Sequence, residues 1–377
     1  MTKDADELTA YVQSAVLAEL RERFPDQIPE EEKFLSTALE KLYSKTKEGF
    51  VFIIDEWDCI LRERKYASDE HKKYLDFIRN LLKDKTYVSL AYMTGILPIK
   101  KYGTHSALNM FSEFSMTNPD VLAEFVGFTE NEVEALCTKY ERNPMELKEW
   151  YNGYHFVKEK SVYNPKSVVQ AVLSGICDTY WNRTETFEAL RMYIDMNFEG
   201  LKDDVLTMLS GGKVRLNVNT FKNDLSTVAS KDDALTALIH LGYLGYDAER
   251  KSAYIPNYEV ASAFELALQT GSWDDIARSI SRCDELLFAT IDGEAEKVAE
   301  LIELAHETYT SILKYNDENS LSCVLTMAYF TAPAYYNIVR EFPAGKGFAD
   351  LVFIPRANAG DRPAMVIELK YNQSADS

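Results

Sequence analysis

An unbroken apolar run, VFII at residues 51–54, restricts the fold of this 377-residue chain more than any other feature. Four consecutive apolar β-formers are typical of a strand covered on both faces, as in the parallel sheet of an α/β protein. A charged helical segment at residues 69–84 follows, and then a second apolar run, YVSLAYMTG. Strand, crossover helix and strand make a βαβ unit, so we predict a parallel sheet in this region.

Polar residues stand at the end of both predicted strands. Asp55 and Glu56 directly follow the first strand, and Thr94 lies at the tip of the second. An apolar strand that ends in Asp-Glu has the form of a Walker B motif, in which the aspartate holds Mg²⁺ on a nucleotide and the glutamate polarises the attacking water. Thr94 is then placed as a phosphate-sensing residue. A structural strand followed by an acidic helix cap has the same pattern, so the motif alone leaves both interpretations open.

The middle of the chain, residues 118–275, is predicted to be mostly helical. Thr129 and Glu132 have the spacing of a capping box at a helix start. Residues 233–268 have the order helix, short hairpin, helix, which resembles a winged-helix element. The charged residues in and beside this element are Lys231, Arg250, Lys251, Asp232, Asp233, Asp247 and Glu249. Because this mixture gives no basic recognition face, a winged-helix transcription regulator is the weakest of the functional alternatives.

Charged residues interrupt the predicted strands of residues 276–377. In AMVIELKY, Glu368 and Lys370 share one face because alternate strand residues point to the same side. Asp350 interrupts the apolar run GFADLVFIP of the preceding hairpin strand, and Glu318 lies on the inward face of a helix predicted at about 317–331. Such charges are costly in an apolar setting unless something uses them.

Magnesium chemistry explains this choice of residues. Carboxylates held together repel unless they are protonated or bridged by a cation, and Mg²⁺ prefers oxygen ligands at about 2.0–2.1 Å. A metal held by Asp350 and Glu368 would lower the pKa of a bound water and polarise a phosphodiester. Lys370 would orient that water and stabilise charge on the phosphate. ELK alone favours an ordinary surface strand with a Glu-Lys neighbour pair, but together with GxxD upstream and Glu318 it favours the metal site.

The segments KGFADLVFIPR and AMVIELKYN resemble the nuclease motif of a bacterial family that joins an AAA-ATPase-like domain to a carboxyl-terminal PD-(D/E)XK nuclease-superfamily domain. Five segments upstream also appear in family order: MTGILPIKKYGTHSALNMF, VGFTENEVEAL, WYNGYHF, VYNP and DTYW. The resemblance therefore covers nearly the whole chain. It implies that Asp350 and Glu368 are the acidic metal ligands and Lys370 the motif lysine. Glu318 matches the acid on the first helix of the nuclease core.

The resemblance also implies a fold and a set of partners. The fold is α/β: a P-loop-type ATPase remnant with a parallel sheet at residues 1–117, a helical and winged-helix-like middle at 118–275, and a truncated α+β domain of PD-(D/E)XK type at 276–377. The implied ligands and partners are ATP with Mg²⁺ at Asp55, Glu56 and Thr94, nucleic acid, and further copies of the chain that contact it through the ATPase domain. In WYNGYHF, the aromatic residues are expected to pack a helix end rather than to stack on a base.

The chain departs from the family at the phosphate-binding loop. Nucleotide binding needs a glycine-rich loop that ends in GK[ST] at a helix start. The only Gly-Lys pairs, Gly212-Lys213 and Gly345-Lys346, are followed by Val214 and Gly347. We therefore expect a fragment that lacks the phosphate loop and the end of the nuclease domain and that binds ATP poorly.

Composition limits the functional classes. The net charge of −19 opposes binding to a polyanion, so a nuclease would need a local basic groove or bound metal. No apolar run approaches the roughly 20 residues of a membrane span, and five scattered cysteines without a CxxC pair fit a reducing cytoplasm. An ATP-regulated, magnesium-dependent nuclease and a non-catalytic, nucleotide-gated signalling or binding module remain the two main alternatives, and whether the site is catalytically active stays open.

Overall fold

The fold is mixed α/β with several small sheets, one of them parallel. The computed structural model describes residues 5–62, 68–96, 98, 108–157, 161–181, 186–221, 228–270, 282–310, 324–344, 347–356 and 359–368. They divide into two compact units, residues 1–115 with 219–229 and residues 116–218 with 230–377. In the described residues no helix is long and apolar enough to cross a bilayer.

The first unit contains four of the described helices and one sheet. The helices are α1 (Ala5–Arg23), α2 (Leu35–Thr46), α3 (Cys59–Arg62) and α4 (Ser68–Leu82), and the strands are β1 (Phe50–Ile54) and β2 (Val88–Met93). β1 and β2 pair in parallel, and α4 lies between them in the chain. The predicted βαβ unit is therefore confirmed.

Among the described residues, only one face of the β1–β2 sheet is covered. Phe50, Phe52 and Ile54 pack against a core to which α1, α2 and α4 contribute Leu17, Leu39, Leu42, Leu75 and Ile78. On the opposite face, the side chains of Val51 and Ile53 are 60% and 76% exposed. The expectation of a strand covered on both faces is wrong for the described residues, because these helices all pack on the same side of the sheet.

The second unit contains nine of the described α-helices and eight strands. The helices are α5 (Glu130–Tyr140), α6 (Pro144–Tyr151), α7 (Pro165–Ser174), α8 (Thr186–Asp195), α9 (Leu201–Leu209), α10 (Lys231–His240), α11 (Tyr258–Thr270), α12 (Cys283–Asp292) and α13 (Ala295–Thr310). The strands are β3 (Phe128–Thr129), β4 (Val162–Tyr163), β5 (Val214–Arg215), β6 (Gly245–Asp247), β7 (Ser252–Tyr254), β8 (Tyr336–Ala344), β9 (Gly347–Pro355) and β10 (Met365–Ile367). Residues 324–328 are also helical.

Local capping residues fix where several of these helices begin. The Glu132 carboxylate accepts hydrogen bonds from the backbone N–H and the hydroxyl of Thr129, at 2.8 and 2.9 Å, which confirms the capping box of α5. α6 and α7 each begin with proline, which suits the first helical position because it has no N–H to satisfy. The preceding residues, Asn143 and Asn164, accept a backbone N–H two residues further on.

The aromatic residues of WYNGYHF lie in the interior. Trp150 packs in a core formed mainly by α5, α6 and α7, and Tyr154 and Phe156 belong to a neighbouring cluster with Ala123 and Val162. All three aromatic side chains are buried, and the Tyr154 hydroxyl donates to the carbonyl of Gly242 at 2.6 Å. Their predicted packing role is confirmed.

The segment predicted to resemble a winged helix has the expected order of elements. α10 is followed by the antiparallel β6–β7 hairpin and then by α11, and β5 adds a third strand beside β7. Lys213 Nζ lies 3.2 Å from Asp247 Oδ2 on this sheet. The charge of Lys213 is thus paired with an acid of the hairpin rather than contributing to a uniformly basic surface.

The last sheet is antiparallel, with the strand order β10–β9–β8. One face of β9 is buried through Ala349, Leu351 and Phe353. The ring of Phe353 makes edge contacts with Tyr329 and Tyr336, with ring centroids 5.2 and 5.8 Å apart. The alternate residues of β9, beginning with Phe348 and Asp350, therefore lie on the opposite face.

Candidate functional site

The register of the last sheet brings two predicted metal ligands to the same face. β10 pairs with β9 through Met365–Phe353, Val366–Val352 and Ile367–Leu351. Glu368 follows Ile367 directly, so one further step of this register places it opposite Asp350. Residues opposite each other on antiparallel strands have Cβ atoms about 4.5–5.5 Å apart and point to the same side of the sheet. The register, continued by one residue, therefore predicts the two carboxylates as neighbours on one face.

This face is more exposed than the other face of β9, although Val352 on it is buried. Asp350 is partly buried and Glu368 is exposed, and the side chains of Phe348 and Val366 on the same face are 68% and 62% exposed. A ligand can therefore approach the carboxylate pair from solvent. The sheet fixes the backbone on either side of the pair, because β9 is hydrogen-bonded to both β8 and β10.

Two further predicted members of the site, Glu318 and Lys370, lie outside the described residues. No group of three or more His, Cys, Asp or Glu side chains in the described part of the chain is arranged to hold a metal ion. Asp350 and Glu368 alone are suitable Mg²⁺ ligands in their chemistry, since Mg²⁺ takes carboxylate oxygens and often retains several waters.

The first unit holds the second predicted site, at the carboxyl ends of β1 and β2. The parallel ladder continues past the strands, with the Thr94 N–H donating to the Ile54 carbonyl at 2.9 Å. Asp55 is exposed, and its Oδ1 accepts hydrogen bonds from the Thr94 hydroxyl and, at 3.0 Å, from the Glu56 N–H. The structure thus brings Asp55 and Thr94 together, as expected of two strand ends at the same edge of a parallel sheet.

The described residues give this second site no phosphate-binding loop. Glu56 is exposed with a backbone φ of 50°, and Asp55 already accepts hydrogen bonds from its neighbours. The sequence contains no GK[ST] segment whose backbone N–H groups could hold phosphates. Asp55 and Thr94 could contact the edge of a ligand, but they do not form a phosphate-binding loop.

Two buried acids were not singled out from the sequence. Asp58 is fully buried just after β1, and its Oδ2 accepts a hydrogen bond from the Ile96 N–H at 3.1 Å. Glu259, at the start of α11, is also fully buried. A carboxylate in the first turn of a helix is common on protein surfaces, so neither residue carried a sequence signal that would separate it from an exposed acid.

Glu259 joins the segments VYNP and DTYW. Its Oε1 accepts hydrogen bonds from Ser167 Oγ at 2.9 Å and from the backbone N–H groups of Tyr180 and Trp181 at 2.7 and 2.9 Å. The side-chain amide of Asn164 lies 3.5 Å from Oε2. Burial raises the pKa of Glu259, while these hydrogen bonds act in the opposite direction. Because protein donors surround it, Glu259 has a structural role.

Comparison of the chain with protein-family models, with curated proteins and with solved structures found no match.

Proposed function

We propose that the chain belongs to a metal-dependent, ATP-regulated nuclease or nuclease-like protein, with the cleavage site on the face that carries Asp350 and Glu368. The observation that supports this most strongly is the β9–β10 register, which, continued by one residue beyond Ile367–Leu351, predicts Glu368 opposite Asp350. Paired carboxylates on a rigid scaffold are suited to bind a divalent ion, which is the requirement for metal-assisted phosphodiester hydrolysis.

Each residue has a defined task in this proposal. Asp350 and Glu368 would hold Mg²⁺ through their carboxylate oxygens, and the ion supplies Lewis-acid activation of water and phosphate. Lys370, two residues after Glu368, would donate to the phosphate oxygens as their negative charge increases. Glu318 would add a further carboxylate from the upstream helix. The sheet keeps Asp350 and Glu368 in place, so little reorganisation would be needed when the substrate binds.

A cleavage assay tests the proposal. The chain is incubated with labelled single-stranded and duplex DNA and RNA in MgCl₂, in MnCl₂ or in EDTA. We expect metal-dependent cleavage that falls at least about 100-fold in Asp350→Asn, Glu368→Gln and Lys370→Ala, because each change removes a group that acts in the transition state. Glu300→Gln, an exposed acid on α13, is the matched control and should retain activity.

The ATP-binding part of the proposal needs a separate test. On this chain, Asp55 and Thr94 form a hydrogen-bonded pair without a phosphate-binding loop. We therefore expect titration with a fluorescent ATP analogue to give no saturation in the micromolar range. Micromolar affinity would show that residues other than a GK[ST] loop bind the phosphates.

A non-catalytic signalling or binding module is the second candidate. The net charge of −19 favours it, because an acidic chain is poorly suited to bind a polyanion. In this case the sheet face that carries Asp350 and Glu368 would bind a partner without cleaving it. Absence of cleavage by the parent chain with either metal, together with binding that survives Asp350→Asn, would support the module and exclude the nuclease for this chain.

A further inference from the structure

We draw no further inference here: the strongest candidate, the open apolar face of the β1–β2 sheet around Ile53 and Tyr92, is uncovered only among the described residues, and nothing in the structure shows what covers it.

Discussion

Glu259 and the Asp350–Glu368 pair show two different uses of a carboxylate in the second unit. Glu259 is fully buried, and four donors lie around it. Asp350 is partly buried and Glu368 is exposed, and the β9–β10 register continued by one residue predicts that they lie opposite each other. Like charges directly opposite across two strands are unfavourable, whereas a buried acid with several donors stabilises the segments that it joins. The difference indicates that Glu259 serves the fold, whereas a ligand for the pair is part of the proposal above.

Removal of Glu259 should have the largest effect on folding. Glu259→Ala leaves two backbone N–H groups and the Ser167 hydroxyl without their buried acceptor, and each such loss costs about 1–3 kcal/mol. We expect the free energy of unfolding to fall by about 3–5 kcal/mol in urea titrations followed by circular dichroism. Glu259→Gln retains one acceptor oxygen and should lose about half as much. A change below about 1 kcal/mol in Glu259→Ala would contradict the structural role.

Local chemistry explains which parts of this comparison could be predicted from the sequence. The alternation in AMVIELKY and the GxxD pattern indicated a shared face for Glu368 and Lys370 and a hairpin partner in Asp350. The capping box at Thr129 and the βαβ unit were likewise predictable, because neighbouring residues determine them. The donors to Glu259 come from residues 78–95 positions away. Only the tertiary fold brings such distant residues together.

The open face of the first sheet was missed for the same reason. The sequence of β1 has the apolar content of a strand covered on both faces, and this pattern does not record on which side the helices pack. Ile53 is as apolar as Ile54, but its side chain is 76% exposed while that of Ile54 packs against the core. Side-chain hydrophobicity therefore predicted the strand but not which of its faces the helices cover.

Gly153 provides the second-largest test, in the motif WYNGYHF near the network of Glu259. Its φ is +117°, and a Cβ at this position would lie 1.9 Å from the carbonyl oxygen of Pro256. We expect Gly153→Ala to lower the free energy of unfolding by about 3 kcal/mol, because it combines backbone strain with a clash against the main chain. Gly211 has a φ of +86° with nothing within 4 Å of a built Cβ, so Gly211→Ala should cost only about 1 kcal/mol. Equal losses in the two variants would show that the clash is relieved by movement of the chain.

Glu265, on the same helix as Glu259, should make the free energy of unfolding depend on pH. Burial, and to a smaller extent the negative charge of Asp284, raise its pKa from 4.5 to about 7. The unfolded chain therefore releases this proton at lower pH than the folded chain, so Glu265 lowers stability as pH rises from about 4.5 to about 7. We expect up to about 3 kcal/mol of this loss to disappear in Glu265→Gln, measured by urea unfolding at several pH values between 5 and 8. Parallel pH profiles for wild type and variant would contradict the assignment.

Substitution in the carboxylate pair should change stability least and ligand response most. Asp350→Asn changes one partly buried side chain on β9, so without metal we expect the free energy of unfolding to change by no more than about 1 kcal/mol. With MgCl₂, wild type should become more stable than Asp350→Asn. An ion that binds only the folded chain raises the stability of that chain by RT ln(1 + [Mg²⁺]/Kd). Thermal melting with and without MgCl₂ should show a metal-dependent rise in Tm for wild type and for Glu300→Gln, and little rise for Asp350→Asn or Glu368→Gln. A wild-type Tm that does not respond to MgCl₂ or MnCl₂, or a rise that persists in both variants, would show that the neighbouring acids do not bind the ion. The distinction between Glu259 and the pair would then rest on burial alone.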